Sequence, residues 1–229
     1  GLAGGIATAP IAKQWMHRAG FAFPGHTEYF AHAFAVDGEV MMFAGPRLKV
    51  ALATIHVPLR AVPTTLTAAK IGNATRRLAH ALRDDFALDA PRVGVVGLNP
   101  HAGEGGELGD EETTLIAPAV AACQRELPWA HITGPLVPDV AFRLALEGQV
   151  DALVAMYHDQ ALIPVKAIDF DEAVNITLGL PIVRTSPDHG TGFDIAGQGR
   201  ARATSMRAAI ERGLAMLDRR AARVATEGA

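Results

Sequence analysis

Short apolar runs punctuated by glycine and proline alternate along the chain with longer stretches of helical periodicity. Residues 6–9 read as the end of a strand. Pro10 and Gly20 then frame a helix over 10–19, since proline suits a first turn and glycine a helix stop. After the Pro24-Gly25 turn, His26-Thr27-Glu28 opens a helical run to residue 34, with Tyr29, Phe30 and Phe34 expected to point inward. Residues 40–44 and 49–54 flank Gly45-Pro46 as a hairpin. Thr64 or Thr65 is placed to cap a long helix ending near Leu82, with Leu66, Ile71, Leu78 and Leu82 on one face. Residues 92–97 form a buried-type strand, and Asp110-Glu111-Glu112 supply acid to the N-terminus of a helix reaching Arg125. A short strand at 132–134, a helix at 138–146 and a buried strand at 151–156 follow. Two more strands are expected at 173–177 and 182–185, then a polar loop over 186–199. A last helix over 200–219 carries Met206, Ile210, Leu214 and Leu217 on one stripe. Strands alternating with helices predict an α/β fold with a mostly parallel sheet, the Gly45-Pro46 hairpin adding an antiparallel element.

Composition narrows the picture. The 229 residues suffice for one large domain or two small ones, and 49% hydrophobic residues can bury a sizeable core. A net charge of -3 gives no basic surplus for nucleic acid. No apolar run approaches a membrane span. The single cysteine, Cys123, excludes an internal disulfide and suits a reducing cytoplasm. The first ten residues have no basic region and no initiator methionine, and begin abruptly on a strand-like run. The chain is therefore expected to be the later part of a longer protein.

Residues 98–112 are too polar and glycine-rich to build core, and they follow a strand, where α/β proteins place ligands. No Gly-Lys-Ser/Thr follows, and the glycines lack the spacing of a dinucleotide fingerprint, so the run reads as a mount for His101 rather than a phosphate cradle. Three histidines share its context, an apolar run followed by a histidine and then a proline-bearing or acidic loop: His56, His101 and His158. A lone histidine there is ordinarily a solvated loop residue. Three at the carboxyl ends of strands in one sheet have the chemistry to bind a divalent cation, with Asp159 as a supporting partner for His158. Downstream, Lys166 and Arg184 are cations suited to a phosphate or carboxylate, and Asn175 both donates and accepts. His26-Thr27 at a helix start adds donors for an anion. Singly, each of these would pass for a surface residue.

These stretches together resemble the 4-hydroxythreonine-4-phosphate dehydrogenase family of pyridoxal phosphate biosynthesis. The matching runs are Gly25-His26-Thr27-Glu28, residues 50–60 through His56, residues 98–106 through His101, Tyr157-His158-Asp159-Gln160, and residues 174–181 with 184–191. They are ordered and spread over almost the whole chain. The 186–199 loop, with His189-Gly190-Thr191, also resembles the cofactor loop of the isocitrate and isopropylmalate dehydrogenases, the broader group containing this family.

The resemblance implies an isocitrate/isopropylmalate dehydrogenase-like two-domain fold. It implies that His56, His101 and His158 bind a divalent metal (zinc, cobalt or magnesium). His26, Thr27, Lys166, Asn175 and Arg184 would contact substrate, with Lys166 also a candidate proton carrier. His189, Gly190 and Thr191 would lie against NAD or NADP. The implied reaction is oxidation and decarboxylation of 4-phosphooxy-L-threonine to 3-amino-2-oxopropyl phosphate by a cytoplasmic homodimer with a shared active site. It involves a small phosphorylated substrate and neither nucleic acid nor membrane. One alternative substrate class is D-threonate or D-erythronate 4-phosphate. Family members carry roughly a hundred residues ahead of the point matching Gly1. On that footing residues 1–20 would be a remnant of the cofactor-side domain, 21–195 the metal, substrate and dimerisation domain, and 196–229 a C-terminal helix returning to the first domain. The other alternative is then an inactive metal- and phosphate-binding piece.

Overall fold

A computed structural model describes residues 3–227. Positions 1, 2, 228 and 229, at the outer ends of the expected segments 1–20 and 196–229, lie outside the described residues. The strands are β1 (Gly5–Ala7), β2 (Val40–Ala44), β3 (Lys49–Leu52), β4 (Arg92–Val96), β5 (His131–Leu136), β6 (Ala152–Ala155), β7 (Val174–Leu178) and β8 (Val183–Pro187). The helices are α1 (Lys13–Arg18), α2 (His26–Ala33), α3 (Val62–Thr65), α4 (Ala68–Asp84), α5 (Ala117–Glu126), α6 (Pro138–Leu146), α7 (His158–Asp169) and α8 (Thr204–Glu227).

The strands form one sheet in the order β1-β8-β7-β2-β3-β6-β4-β5. Its β3-β6-β4-β5 half is parallel, as is the β1-β8 pair, while β8-β7-β2-β3 are mutually antiparallel. This is the α/β fold with a mostly parallel sheet and antiparallel elements that the sequence predicts. Side chains alternate across the pleat. Val40, Met42, Ala44, Val174 and Ile176 join one core beneath α4, α5 and α8, whereas Met41, Phe43, Val50, Leu52 and Leu153 join a second beneath α6 and α7. Leu66, Ile71, Leu78 and Leu82 are all buried, as their spacing requires.

Several elements differ from expectation. The first helix begins at Lys13, because Ala12 is extended and its carbonyl takes the first N–H bonds, from Trp15 and Met16. The long helix is capped by Thr67, whose hydroxyl accepts the Lys70 N–H at 3.2 Å, and Thr64 and Thr65 lie in the separate one-turn α3. The expected helix after Asp110 opens with a π-helical turn over Glu112–Ile116. α2 buries Thr27 and Ala31, so Tyr29 and Phe34 face outward, 40% and 39% exposed. On α8 the fully buried residues are Ala209 and Met216, and of the expected stripe Leu217 packs against the core and Met206 is half-buried. A Cβ at Gly213 would stand 3.2 Å from the Thr185 hydroxyl, a tight contact, and Ile210 and Leu214 are exposed. α7 is not expected at all. Pro164 interrupts its sequence pattern, yet Ala161, Leu162 and Val165 pack it onto the sheet.

Candidate active site at the sheet edge

β3, β6 and β4 are parallel neighbours, so their carboxyl ends share one edge of the sheet. His56 follows β3, His158 opens α7 after β6, and His101 follows β4. The first two meet, with ring centroids 5.7 Å apart. Asp159 Oδ1 lies 2.7 Å from His158 Nδ1, an arrangement that fixes the ring and leaves its other nitrogen available. His56 has an exposed edge, but its surroundings are partly desolvated. That desolvation, then the Lys13 and His158 charges, hold its imidazole below the ordinary value, with Glu28 acting in the opposite direction. Neutral imidazole is the form that ligates metal.

His101 is not with them. Among the described residues no three histidine, cysteine or acidic groups stand close enough to hold a metal ion. His101 is exposed on a turn whose backbone is left-handed from His101 to Gly105, with φ of 52°, 54°, 78°, 43° and 71°. His56 is also left-handed, at φ 40°. Such strain in non-glycine residues persists where surrounding structure enforces it.

Beside the histidine pair lies a cleft of about 240 Å³. Its floor is the sheet face carrying Met41, Phe43, Asn175 and Arg184, and α2 begins at its wall with His26 and Thr27. Arg184 is 5% exposed. It donates to the hydroxyls of Thr177 at 3.1 Å and Thr8 at 2.8 Å, while its Nε has no acceptor and no carboxylate pairs with it among the described residues. Desolvation, partly countered by Glu28, pushes the guanidinium down to about 10. Asn175 Oδ1 is likewise buried without a donor. Burial, then the Arg184 charge, lowers the His26 imidazole. A buried, unneutralised cation beside an unsatisfied amide oxygen is a surface built for an anionic, hydrogen-bonding ligand.

Lys166, on α7, forms an ion pair with Asp188 at 3.1 Å, and Asp188 lines the cleft. His189 and Gly190 stand at the cleft rim and, with Thr191, also line a neighbouring cleft of about 590 Å³ under the glycine-bearing loop. Lys13 and Glu28 face the same space as the histidine pair, and sequence reasoning gave neither a role there. Spacing offers no signal for Lys13, whereas Glu28 sits inside the Gly25-His26-Thr27-Glu28 run.

The family described as "Pyridoxal phosphate biosynthetic protein PdxA" matches residues 1–213. A 4-hydroxythreonine-4-phosphate dehydrogenase of Bradyrhizobium diazoefficiens is 51% identical over 215 residues, covering 92% of this chain and 62% of the relative. One from Paracoccus denitrificans is 51% identical over 225 residues, covering 96% and 69%. The crystal structure of the Klebsiella pneumoniae 4-hydroxythreonine-4-phosphate dehydrogenase superposes with a TM-score of 0.84 at 46% identity, covering 93% of this chain and 63% of that one. A terephthalate 1,2-cis-dihydrodiol dehydrogenase from Burkholderia xenovorans superposes with a TM-score of 0.71 at 28% identity, covering 90% and 64%. The chain thus spans a little under two thirds of the length of several relatives it matches.

Proposed function

The chain belongs to the PdxA family of pyridoxal phosphate biosynthetic proteins, and from that premise we propose that it carries the metal and phosphate sites of a cytoplasmic, NAD- or NADP-dependent dehydrogenase. Its reaction is the oxidation and decarboxylation of 4-phosphooxy-L-threonine to 3-amino-2-oxopropyl phosphate. The observation that carries the reading is Arg184, a desolvated guanidinium with an unused Nε at the floor of a cleft walled by two histidines. A phosphate or carboxylate supplies the missing counter-charge.

His56 and His158 are the donors that one chain offers a divalent cation, zinc, cobalt or magnesium. His101 completes the set from a second copy in a homodimer with a shared site. His101's exposure and its separation from the other two histidines support that arrangement. When bound, the cation supplies Lewis-acid polarisation of the substrate hydroxyl, and the nicotinamide supplies a hydride acceptor. Arg184 anchors the anionic end. Asn175 accepts a hydrogen bond from the bound molecule through Oδ1. His26 and Thr27 present donors at the start of α2. Lys166, held against Asp188, is placed to anchor a charge or carry a proton, and the loop with His189, Gly190 and Thr191 adjoins the space for the dinucleotide.

The test combines titration of Co²⁺ and inorganic phosphate with an NAD reduction assay on three substrates: 4-phosphooxy-L-threonine, D-threonate 4-phosphate and D-erythronate 4-phosphate. Co²⁺ binding abolished by His56→Ala, phosphate binding abolished by Arg184→Met, and turnover of the first compound support the reading. Turnover of the sugar acids alone reassigns the substrate. Binding without any turnover reduces the chain to a metal- and phosphate-binding piece. Absence of both binding events refutes it.

A further inference from the structure

Glu112 has no part in the chemistry above, yet it is 2% exposed and pairs with no cation among the described residues. Every hydrogen bond that its carboxylate accepts comes from the segment leading into the His101 turn. Oε1 accepts the backbone N–H of Leu98 at 2.7 Å and of Asn99 at 2.8 Å, and Oε2 accepts the Asn99 side-chain amide at 3.0 Å. The same amide donates to Glu111 at 2.6 Å. These acids turn back onto the loop rather than simply facing the helix dipole, as their position before a helix had suggested.

The turn they hold needs holding. His101, Ala102 and Glu104 are non-glycine residues in left-handed conformation, which L side chains adopt only when surroundings enforce it. Gly103 marks the closest approach. A Cβ there would stand 2.6 Å from Glu112 Oε2 and 2.8 Å from the Gly109 carbonyl oxygen. A carboxylate buried without a counter-ion is costly unless its hydrogen bonds are made, so withdrawing the loop would strand Glu112. The two therefore stabilise one another, and His101 is the side chain whose direction this interlock sets.

We propose that Glu112 is the positioning residue of His101, fixing Leu98 and Asn99 so that the left-handed turn presents the imidazole to a divalent cation. This rests on the reading of His101 as a metal ligand.

The experiment is a Co²⁺ titration of the chain followed by visible absorption, alongside amide hydrogen exchange at Leu98 and Asn99 and thermal melting. Variants are His101→Ala, Glu112→Ala and the near-isosteric Glu112→Gln, which keeps one acceptor for the two backbone N–H groups. His101→Ala is expected to lose the Co²⁺ band. Glu112→Ala is expected to weaken Co²⁺ binding about a hundredfold with faster exchange at both amides, and Glu112→Gln about tenfold, as for other residues that orient ligands. If Glu112→Ala does not fold, Glu112→Gln carries the test. A folded Glu112 variant that binds Co²⁺ as tightly as the unmodified chain, while His101→Ala does not, overturns the positioning role and leaves the ligand intact. A lowered melting temperature with unchanged Co²⁺ affinity does the same. Undiminished binding in His101→Ala overturns the ligand reading and the proposal with it.

Discussion

Arg184→Met separates the stability of the empty cleft from its binding. In the folded chain the guanidinium falls from its ordinary value to about 10, chiefly through desolvation. At about 1.4 kcal/mol per pH unit this is a penalty of about 3 kcal/mol on the charged form. Because the folded-state value is depressed, the penalty is in force at every pH below about 10 and is relieved only as pH rises from there toward the group's ordinary value. Methionine removes it while filling similar volume. Two hydrogen bonds from the charged guanidinium, to Thr177 and Thr8, are lost, at about 1.5 kcal/mol or more each. The two effects nearly cancel, so the expected Tm lies within about 2–4 °C of the unmodified chain's, the shift that about 1 kcal/mol produces in a chain of this size. Phosphate should raise the Tm of the unmodified chain by mass action, by about 2.7 kcal/mol of stability at a hundred times Kd, and leave that of the variant where it was. Differential scanning fluorimetry at pH 7, with and without phosphate, reads both. A variant that melts well below that range, or that keeps the full phosphate response, refutes the view that Arg184 is an unsatisfied cation awaiting an anion.

Other consequences are open to measurement. In Arg184→Met the His26 imidazole should titrate at higher pH than in the unmodified chain, since the Arg184 charge is the second cause of its depression after burial. An unmoved NMR titration curve would show that the two groups do not face one another. Gly45→Ala should cost about 2 kcal/mol or more in urea unfolding, because a Cβ at Gly45 would overlap the Asp169 carboxylate. An unchanged midpoint would mean that the carboxylate yields freely. Thr67→Ala should cost about 1 kcal/mol through loss of the α4 cap, whereas Thr64→Ala, outside that helix, should cost much less.

Much of this arrangement is legible in the amino-acid sequence alone. Apolar runs ending in His56, His101 and His158 place the three histidines at one sheet edge, because parallel strands share a direction. Gly45-Pro46 marks the hairpin, and the recurrence of Ile71, Leu78 and Leu82 on one face marks α4. What escapes is whatever depends on contacts distant in sequence. α7 survives Pro164 because Leu162 and Val165 are buried against β3 and β6, a compensation that a local pattern does not contain. The outward turn of Tyr29 and Phe34 follows from Thr27 and Ala31 taking the inner face. His101 stands apart from the other two histidines on a left-handed turn whose entry is bonded to Glu112, from the helix that follows the loop.

α7 also acts as a gauge. Its twelve residues span about 18 Å. At its start, the Gln160 side chain accepts the Met156 N–H at 2.7 Å and donates to the Gly97 carbonyl at 2.8 Å. At its far end, Asp169 accepts the N–H groups of Arg47 at 3.1 Å and Leu48 at 2.9 Å in the β2–β3 turn. A slip of one residue's rise, about 1.5 Å, would break the fastening at both ends. His158 therefore belongs to a fixed jaw whose distance from the hairpin is set by helix length. The opposite jaw, α2, is seated on two small side chains, Thr27 and Ala31. The imidazole of His158 thus keeps its place through contacts at both ends of α7 as well as through Asp159.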